Sequence, residues 1–219
     1  MRDLREIPEN YKDLTWNDYK DIDPVDRRVM ETIRKYSHHL KVAREMGMGL
    51  LLIGKVGTGK TGLIYLILKR LWELFIVNRV AYKKFAATNI EEMVGIYTQG
   101  WYNNEECREF SEGIQKADFL IIDDIGKEFR GKTGLTQSVL DSVIRYRVNW
   151  KLPTIMTSNI SQKGLREIYG EALVSVMLED VIILNFKGED YRKKKIKKQI
   201  ELFQEKINVR RTVAQEDFG

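Results

Sequence analysis

A single cysteine, Cys107, among 219 residues leaves no partner for an internal disulfide. Only two histidines are present, the adjacent His38 and His39, so a zinc constellation has nothing to be built from. Proline is equally scarce. Pro8, Pro24 and Pro153 are the full complement, each at an expected element start, and no Gly/Ser-rich or Pro-rich linker divides the chain. No apolar run approaches the ~20 residues that span a bilayer, which sets a helical membrane protein aside. The opening MRDLREIPEN lacks a hydrophobic signal core, so the expected location is the cytoplasm.

What is present suits one α/β domain with short extensions. Hydrophobic residues make up 43% of the chain, enough for a core, and charged residues 32%, enough for a wetted surface. The formal charge of +5 permits contact with nucleic acid.

The apolar run Gly49–Ile53 has the length and continuity of a parallel strand covered on both faces. A glycine-rich turn and a helix over 61–75 follow. Strands are expected over 79–85, 118–122, 154–157 and 181–186. Helices are expected over 24–45 (capped by Asp23), from Thr88 as N-cap to about 97, and over 104–116, 137–149, 162–169, 171–178 and 191–207. Strands alternating with helices predict a three-layer α/β fold, a parallel sheet between helix layers. The expected division is an arm over 1–23, a core over 24–192 and a basic helix and tail over 193–219.

Gly54-Lys55-Val56-Gly57-Thr58-Gly59-Lys60-Thr61 satisfies G-x-x-x-x-G-K-[ST], with Gly62 next, and sits between an expected strand and helix. Glycines let the backbone turn successive N–H groups inward around phosphates, and the following helix adds its positive N-terminus. The bare pattern arises by chance in roughly one chain in a hundred of this length, and the strand–loop–helix setting lowers that further. The motif predicts an ATP site in which Lys60 reaches the β- and γ-phosphates and the Thr61 hydroxyl ligates Mg2+.

Phe119-Leu-Ile-Ile-Asp123-Asp124 is an apolar strand ending in two carboxylates. In a parallel sheet the C-terminal strand ends face the ligand crevice. Asp123 is therefore the expected holder of the Mg2+ shell, and Asp124 the base or positioning group for the attacking water. A bare Asp-Asp is most often a solvated turn; four preceding apolar residues and the upstream phosphate loop make that the minority reading. Thr157-Ser158-Asn159, at the end of another expected strand, offers the Asn159 amide to the γ-phosphate or to that water.

These blocks resemble the DnaC/IstB-like branch of the AAA+ P-loop ATPases from about Ile7 to Arg192. Ile7-Pro-Glu-Asn-Tyr-Lys-Asp-Leu-Thr-Trp16 is similar to the family's lead-in, Gly49–Thr61 to its Walker A strand and loop, and Asp123-Asp-Ile-Gly-Lys-Glu128 to its Walker B. Leu152-Pro-Thr-Ile-Met-Thr-Ser-Asn159 resembles its sensor 1 segment, and Gly188-Glu-Asp-Tyr-Arg192 its closing segment, in which Arg192 takes the sensor 2 place. The resemblance implies a loader of a replicative DnaB-type helicase that binds single-stranded DNA and assembles as a homo-oligomer. One departure concerns the arginine finger that such proteins carry before the last core strand. Here Glu171-Ala-Leu-Val-Ser-Val-Met-Leu178 has no arginine, which leaves Arg145, Arg147 and Arg166 as substitutes, or surface ion pairs as their role.

Two other features have competing readings. Arg192-Lys-Lys-Lys-Ile-Lys-Lys198 suits phosphate contact, yet Ile196, Ile200, Phe203 and Ile207 recur at helical spacing, as on a packed helix face. Trp101 and Tyr102 fit core packing better than stacking on DNA bases. In the arm, Trp16 and Tyr19 either anchor a partner or cover the nucleotide site. A transposase-helper ATPase of the IstB type and a nucleotide-gated adaptor with little hydrolysis are the alternatives to the loader.

Overall fold

The computed structural model describes residues 7–19, 24–78, 85–101, 105–127, 133–188, 190, 200, 201, 203–205 and 207. Along the chain these form α1 (Glu9–Lys12), α2 (Pro24–His38), α3 (Leu40–Met46), β1 (Gly49–Ile53), α4 (Lys60–Asn78), β2 (Phe85–Asn89), α5 (Ile90–Trp101), α6 (Glu105–Lys116), β3 (Phe119–Ile125), α7 (Thr133–Asn149), β4 (Thr154–Ser158), α8 (Gln162–Tyr169), α9 (Glu171–Met177) and β5 (Val181–Asn185). The described strands make one sheet in the order β2-β3-β4-β1-β5, with every pairing parallel.

Strand periodicity divides the core in two. Leu51, Ile53, Leu120, Ile122 and Met156 point to the face covered by α5 through α9, where they join Met93, Val143, Leu165 and Val174. Their sequence neighbours Leu50, Leu52, Phe119, Ile121 and Ile155 point the other way and meet Ile33, Leu63, Ile67 and Leu71 from α2 and α4. Alternation by one residue thus feeds both helix layers, so the central strands read as unbroken apolar runs. The expected three-layer P-loop architecture is the observed one.

Several boundaries differ from the sequence reading; α4 and β3 run on to Asn78 and Ile125, and α7 starts at Thr133. The helix expected over 24–45 is two helices broken at His39, whose Nδ1 lies 2.8 Å from Lys35 O and competes for a carbonyl of the ladder. The described second strand is Phe85–Asn89; of the expected 79–85, residues 79–84 lie outside the described residues. Thr88 is buried in that strand, and Asn89 caps α5 instead, its Oδ1 accepting from Glu92 N at 2.9 Å. The proposed cap Asp23 also lies outside the described residues, as do Tyr102, Arg192 and the 193–198 basic run. Beyond them, Ile200, Phe203 and Ile207 are helical and exposed.

The arm is fastened to α4. Tyr11 stacks on Tyr65 with ring centroids 4.5 Å apart, and the Lys69 ammonium donates to the carbonyls of Lys12 and Leu14. Leu14, Trp16 and Tyr19 pack on the cluster under α4. The arm therefore reaches the phosphate loop by bonds to the helix that follows it.

Candidate nucleotide site

β1, β3 and β4 end side by side, and the chemistry-bearing residues follow from those three ends. β1 runs straight into the glycine loop. Gly57 (φ 84°) and Gly59 (φ 89°) adopt the left-handed backbone that glycine tolerates. Gly62 has a different reason for lacking a side chain: a Cβ there would stand 2.2 Å from the Tyr19 hydroxyl. That hydroxyl donates to Gly59 O at 3.0 Å, so Tyr19 covers the loop, the second of the two roles open to it from sequence.

Lys60 opens α4 and is 6% exposed. Its ammonium folds back into the loop, donating to Gly54 O (2.6 Å) and Lys55 O (2.8 Å), with Thr58 Oγ1 at 3.3 Å. It also donates to Asn159 Oδ1 at 2.8 Å, which joins the end of β1 to the end of β4. Four oxygens thus hold a cation in the cradle where the motif expects phosphate.

The acidic pair sits at an irregularity of the sheet. Ile122 pairs with Met156 and Ile125 with Ser158, so three steps along β3 face two along β4. The extra residue is absorbed at Asp124, whose φ of 63° is left-handed. Thr157 stabilises that turn: its Oγ1 accepts from Asp124 N at 2.8 Å and donates to Asp123 Oδ1. Thr61 Oγ1 lies 3.4 Å from the same carboxylate oxygen, and Asn159 Nδ2 donates to Asp124 Oδ1. Below the pair, Tyr169 accepts from Gly126 N at 2.8 Å and fixes the exit of β3.

Asp123 is half-buried, and burial pushes its carboxyl above the ordinary carboxylate range. The hydrogen bonds from Thr157 and Thr61 pull it down, Asp124 raises it, and Lys60 lowers it, but burial dominates.

Lys60, Thr61, Asp123, Asp124 and Asn159, singled out from sequence, are therefore one connected cluster, while Arg192 lies outside the described residues. Sequence reasoning missed Thr157, whose hydroxyl links the Asp123 carboxylate to the Asp124 backbone N–H. Its signal was the Thr-Ser-Asn strand end, where only the asparagine was assigned a task. The substitute arginines resolve differently. Arg145 pairs with Asp141 and Arg166 with Glu171, both on the surface. Arg147 is fully buried, so the alternative of a surface ion pair does not hold for it. Its guanidinium donates to the carbonyls of Ile114, Gln115, Ala117 and Pro153 and to Thr154 Oγ1, closing the C-terminal end of α6.

With this geometry in view, the sequence profile of the bacterial DnaA ATPase domain matches residues 34–178, which include β1 through α9 and every clustered side chain above. This chain belongs to the bacterial DnaA ATPase-domain family. The assignment makes it a nucleotide-binding fold of the AAA+ group and supports the resemblance drawn from the motifs. Among individual proteins, this DnaA-family chain is 25% identical to the replicative helicase loader DnaC of Buchnera aphidicola subsp. Acyrthosiphon pisum over 192 residues, 85% of this chain and 72% of that protein. Against the replicative helicase loader DnaI of Bacillus subtilis it is 24% identical over 157 residues, 71% of this chain and 48% of DnaI. In three dimensions the DnaC helicase loader superposes with a TM-score of 0.70 at 23% identity, over 82% of this chain and 100% of that one. Replication initiator DnaA bound to AMPPCP and single-stranded DNA gives 0.64 at 17% identity, over 90% and 56%. At these identities the superpositions speak to the fold. No described helix is long and apolar enough to cross a membrane.

Proposed function

We propose that this DnaA-family chain is an ATP-dependent loader of a replicative DNA helicase. The observation that carries the reading is the Lys60–Asn159–Asp124 chain of bonds: it ties the phosphate loop to the acidic strand end, where a γ-phosphate would be sensed. The relatives named replicative helicase loaders support a replicative helicase as the partner class; its DnaB type and single-stranded DNA as the second ligand follow from the motif resemblance alone.

The residues fit Mg2+ and ATP. Gly57 and Gly59 give the loop its left-handed turns, and Thr61 and Asp123 converge on one side of it. A magnesium site needs only one or two such groups, because waters and phosphate oxygens complete its shell. When bound, Mg2+ neutralises charge on the β- and γ-oxygens. Lys60 exchanges its carbonyl and Asn159 partners for phosphate, which frees the Asn159 amide to report the γ-position. Asp124, held by the Thr157 hydroxyl, accepts a proton from the attacking water. Arg192 is assigned to the closing side of the pocket on its motif alone.

A second reading, a nucleotide-gated adaptor with slow turnover, draws on Arg145 and Arg166 being committed to local carboxylates and Arg147 to the interior. One experiment separates them and tests the first. The replicative helicase of the same genome is pulled down with ATP, ADP or no nucleotide, and phosphate release is followed with and without single-stranded DNA. A loader gives an ATP-dependent complex and DNA-stimulated release. An adaptor gives the complex with little release. Absence of any complex with folded helicase refutes both. Lys60→Ala is expected to weaken ATP binding about 100-fold or more, since it removes a charge-assisted contact at the cradle's centre.

A further inference from the structure

The segment after β5 crosses the phosphate loop, and two independent ties fix it there. Phe186 N donates to Ile53 O at 2.7 Å, at the very end of β1. Asp26, in the first turn of α2 and fully buried, accepts from Lys187 N at 2.9 Å and Gly188 N at 2.8 Å. Residues 186–188 are thereby pinned from both sides, and Asp190 follows two residues later. A Cβ built on Gly57 would lie 1.9 Å from Asp190 Oδ1 and 2.8 Å from Oδ2. The carboxylate therefore lies directly on the backbone of a loop whose glycines shape it for anions.

We propose that Asp190 sets the affinity of the phosphate loop and makes it select metal-complexed over metal-free nucleotide. The inference rests on the nucleotide-binding reading above and deepens it. A carboxylate at Gly57 places a negative charge next to arriving phosphates. Its repulsion scales with the ligand's own charge, so free ATP suffers about twice as much as its magnesium complex. Asp26 is the positioning residue that keeps the charge in place, through backbone bonds that nucleotide entry does not have to break. The glycine at 57 serves two ends: it allows the left-handed turn, and it leaves room for the carboxylate.

The test is a titration of fluorescent ATP analogue, at constant ionic strength, with Mg2+ and with EDTA, on wild type, Asp190→Asn, Asp190→Ala and Lys60→Ala. Both Asp190 variants are expected to bind about five- to thirty-fold more tightly, as removal of one nearby charge allows. The gain is expected to be larger in EDTA, so the preference for the metal complex narrows. Unfolding midpoints within a degree or so of wild type would show that charge and not folding is being read. Equal or weaker binding by Asp190→Asn overturns the proposal, as does tightening by Ala alone, which would point to space rather than charge. Wild type that binds, alongside Lys60→Ala that does not, keeps the nucleotide reading standing whichever way Asp190 falls. Failure of wild type and both Asp190 variants to bind refutes the two together.

Discussion

Thr157 and Asp123 are joined across neighbouring strands, the Thr157 hydroxyl donating to Asp123 Oδ1 while it accepts from the Asp124 N–H at 2.8 Å. One side chain on β4 thus sets both acidic residues of β3. Without it the left-handed turn at Asp124 would lose the acceptor for its amide, and Asp123 a donor.

Thr157→Val keeps the shape and removes both bonds. It is expected to cost about 1–3 kcal/mol of stability, the price of leaving a partly buried amide without an acceptor. It should also lower kcat for ATP far more than it changes nucleotide affinity, because the loop contacts survive. Thr157→Ser restores both bonds and should recover most of the rate. Urea unfolding with steady-state phosphate release on the three proteins checks this; a valine variant with wild-type kcat would remove Thr157 from the site.

Asp123 carries a carboxyl raised above its ordinary range by burial. The folded state therefore holds the proton more tightly than the unfolded chain, and this group's contribution to stability is largest at low pH. It falls as pH rises from the usual carboxylate range through the raised folded value. At neutral pH the charged form is a net cost, so Asp123→Asn is expected to raise the unfolding midpoint of the nucleotide-free protein while weakening the Mg2+ dependence of ATP binding. Thermal scans between pH 4 and 8, a range set at about the carboxylate window, show the first effect, and titration with and without Mg2+ the second. A destabilised Asn variant would contradict the assignment of burial as the dominant cause.

Arg147 has its guanidinium on five acceptors in the interior, and burial lowers its pKa to about 9, which leaves it charged at neutral pH. Arg147→Lys offers fewer donors in a different geometry and is expected to lose about 2 kcal/mol; Arg147→Met, which strands the acceptors, about 3 kcal/mol or more. Turnover per folded molecule should stay within about threefold of wild type, since the side chain is closed off from any neighbouring subunit's nucleotide. A collapse of kcat with stability retained would restore Arg147 as an arginine finger.

Much of the site was legible because its motifs are contiguous. Gly54–Thr61 carries its own physical logic, glycines for the turn and a lysine for the charge, and its strand–loop–helix setting followed from apolar periodicity alone. The errors fell where neighbouring residues compete for one job. Thr88 and Asn89 are both good caps, and only the burial of Thr88 in the sheet, with Asn89 exposed at the strand end, assigns the task to Asn89. Likewise the expected strand stopped at 85, short of Ala86-Ala87-Thr88, which have little bulk, yet those small residues pair with β3. The break at His39 depends on a side-chain bond that hydrophobic spacing does not encode.

The sequence by itself determined the layer architecture, the phosphate loop and the acidic strand end, since each depends on local pattern: unbroken apolar runs for covered strands, glycine where the backbone must turn, carboxylates where a strand stops. Only the tertiary structure decided which distant groups meet. Strand order brings Asn159 to Lys60 across 99 positions, the extra residue in β3 sets Thr157 against the Asp123 carboxylate and the Asp124 amide, and the buried Asp26 draws the segment after β5 over Gly57. Those contacts depend on register and on packing between elements far apart in the chain, and neither is written in any single stretch of residues.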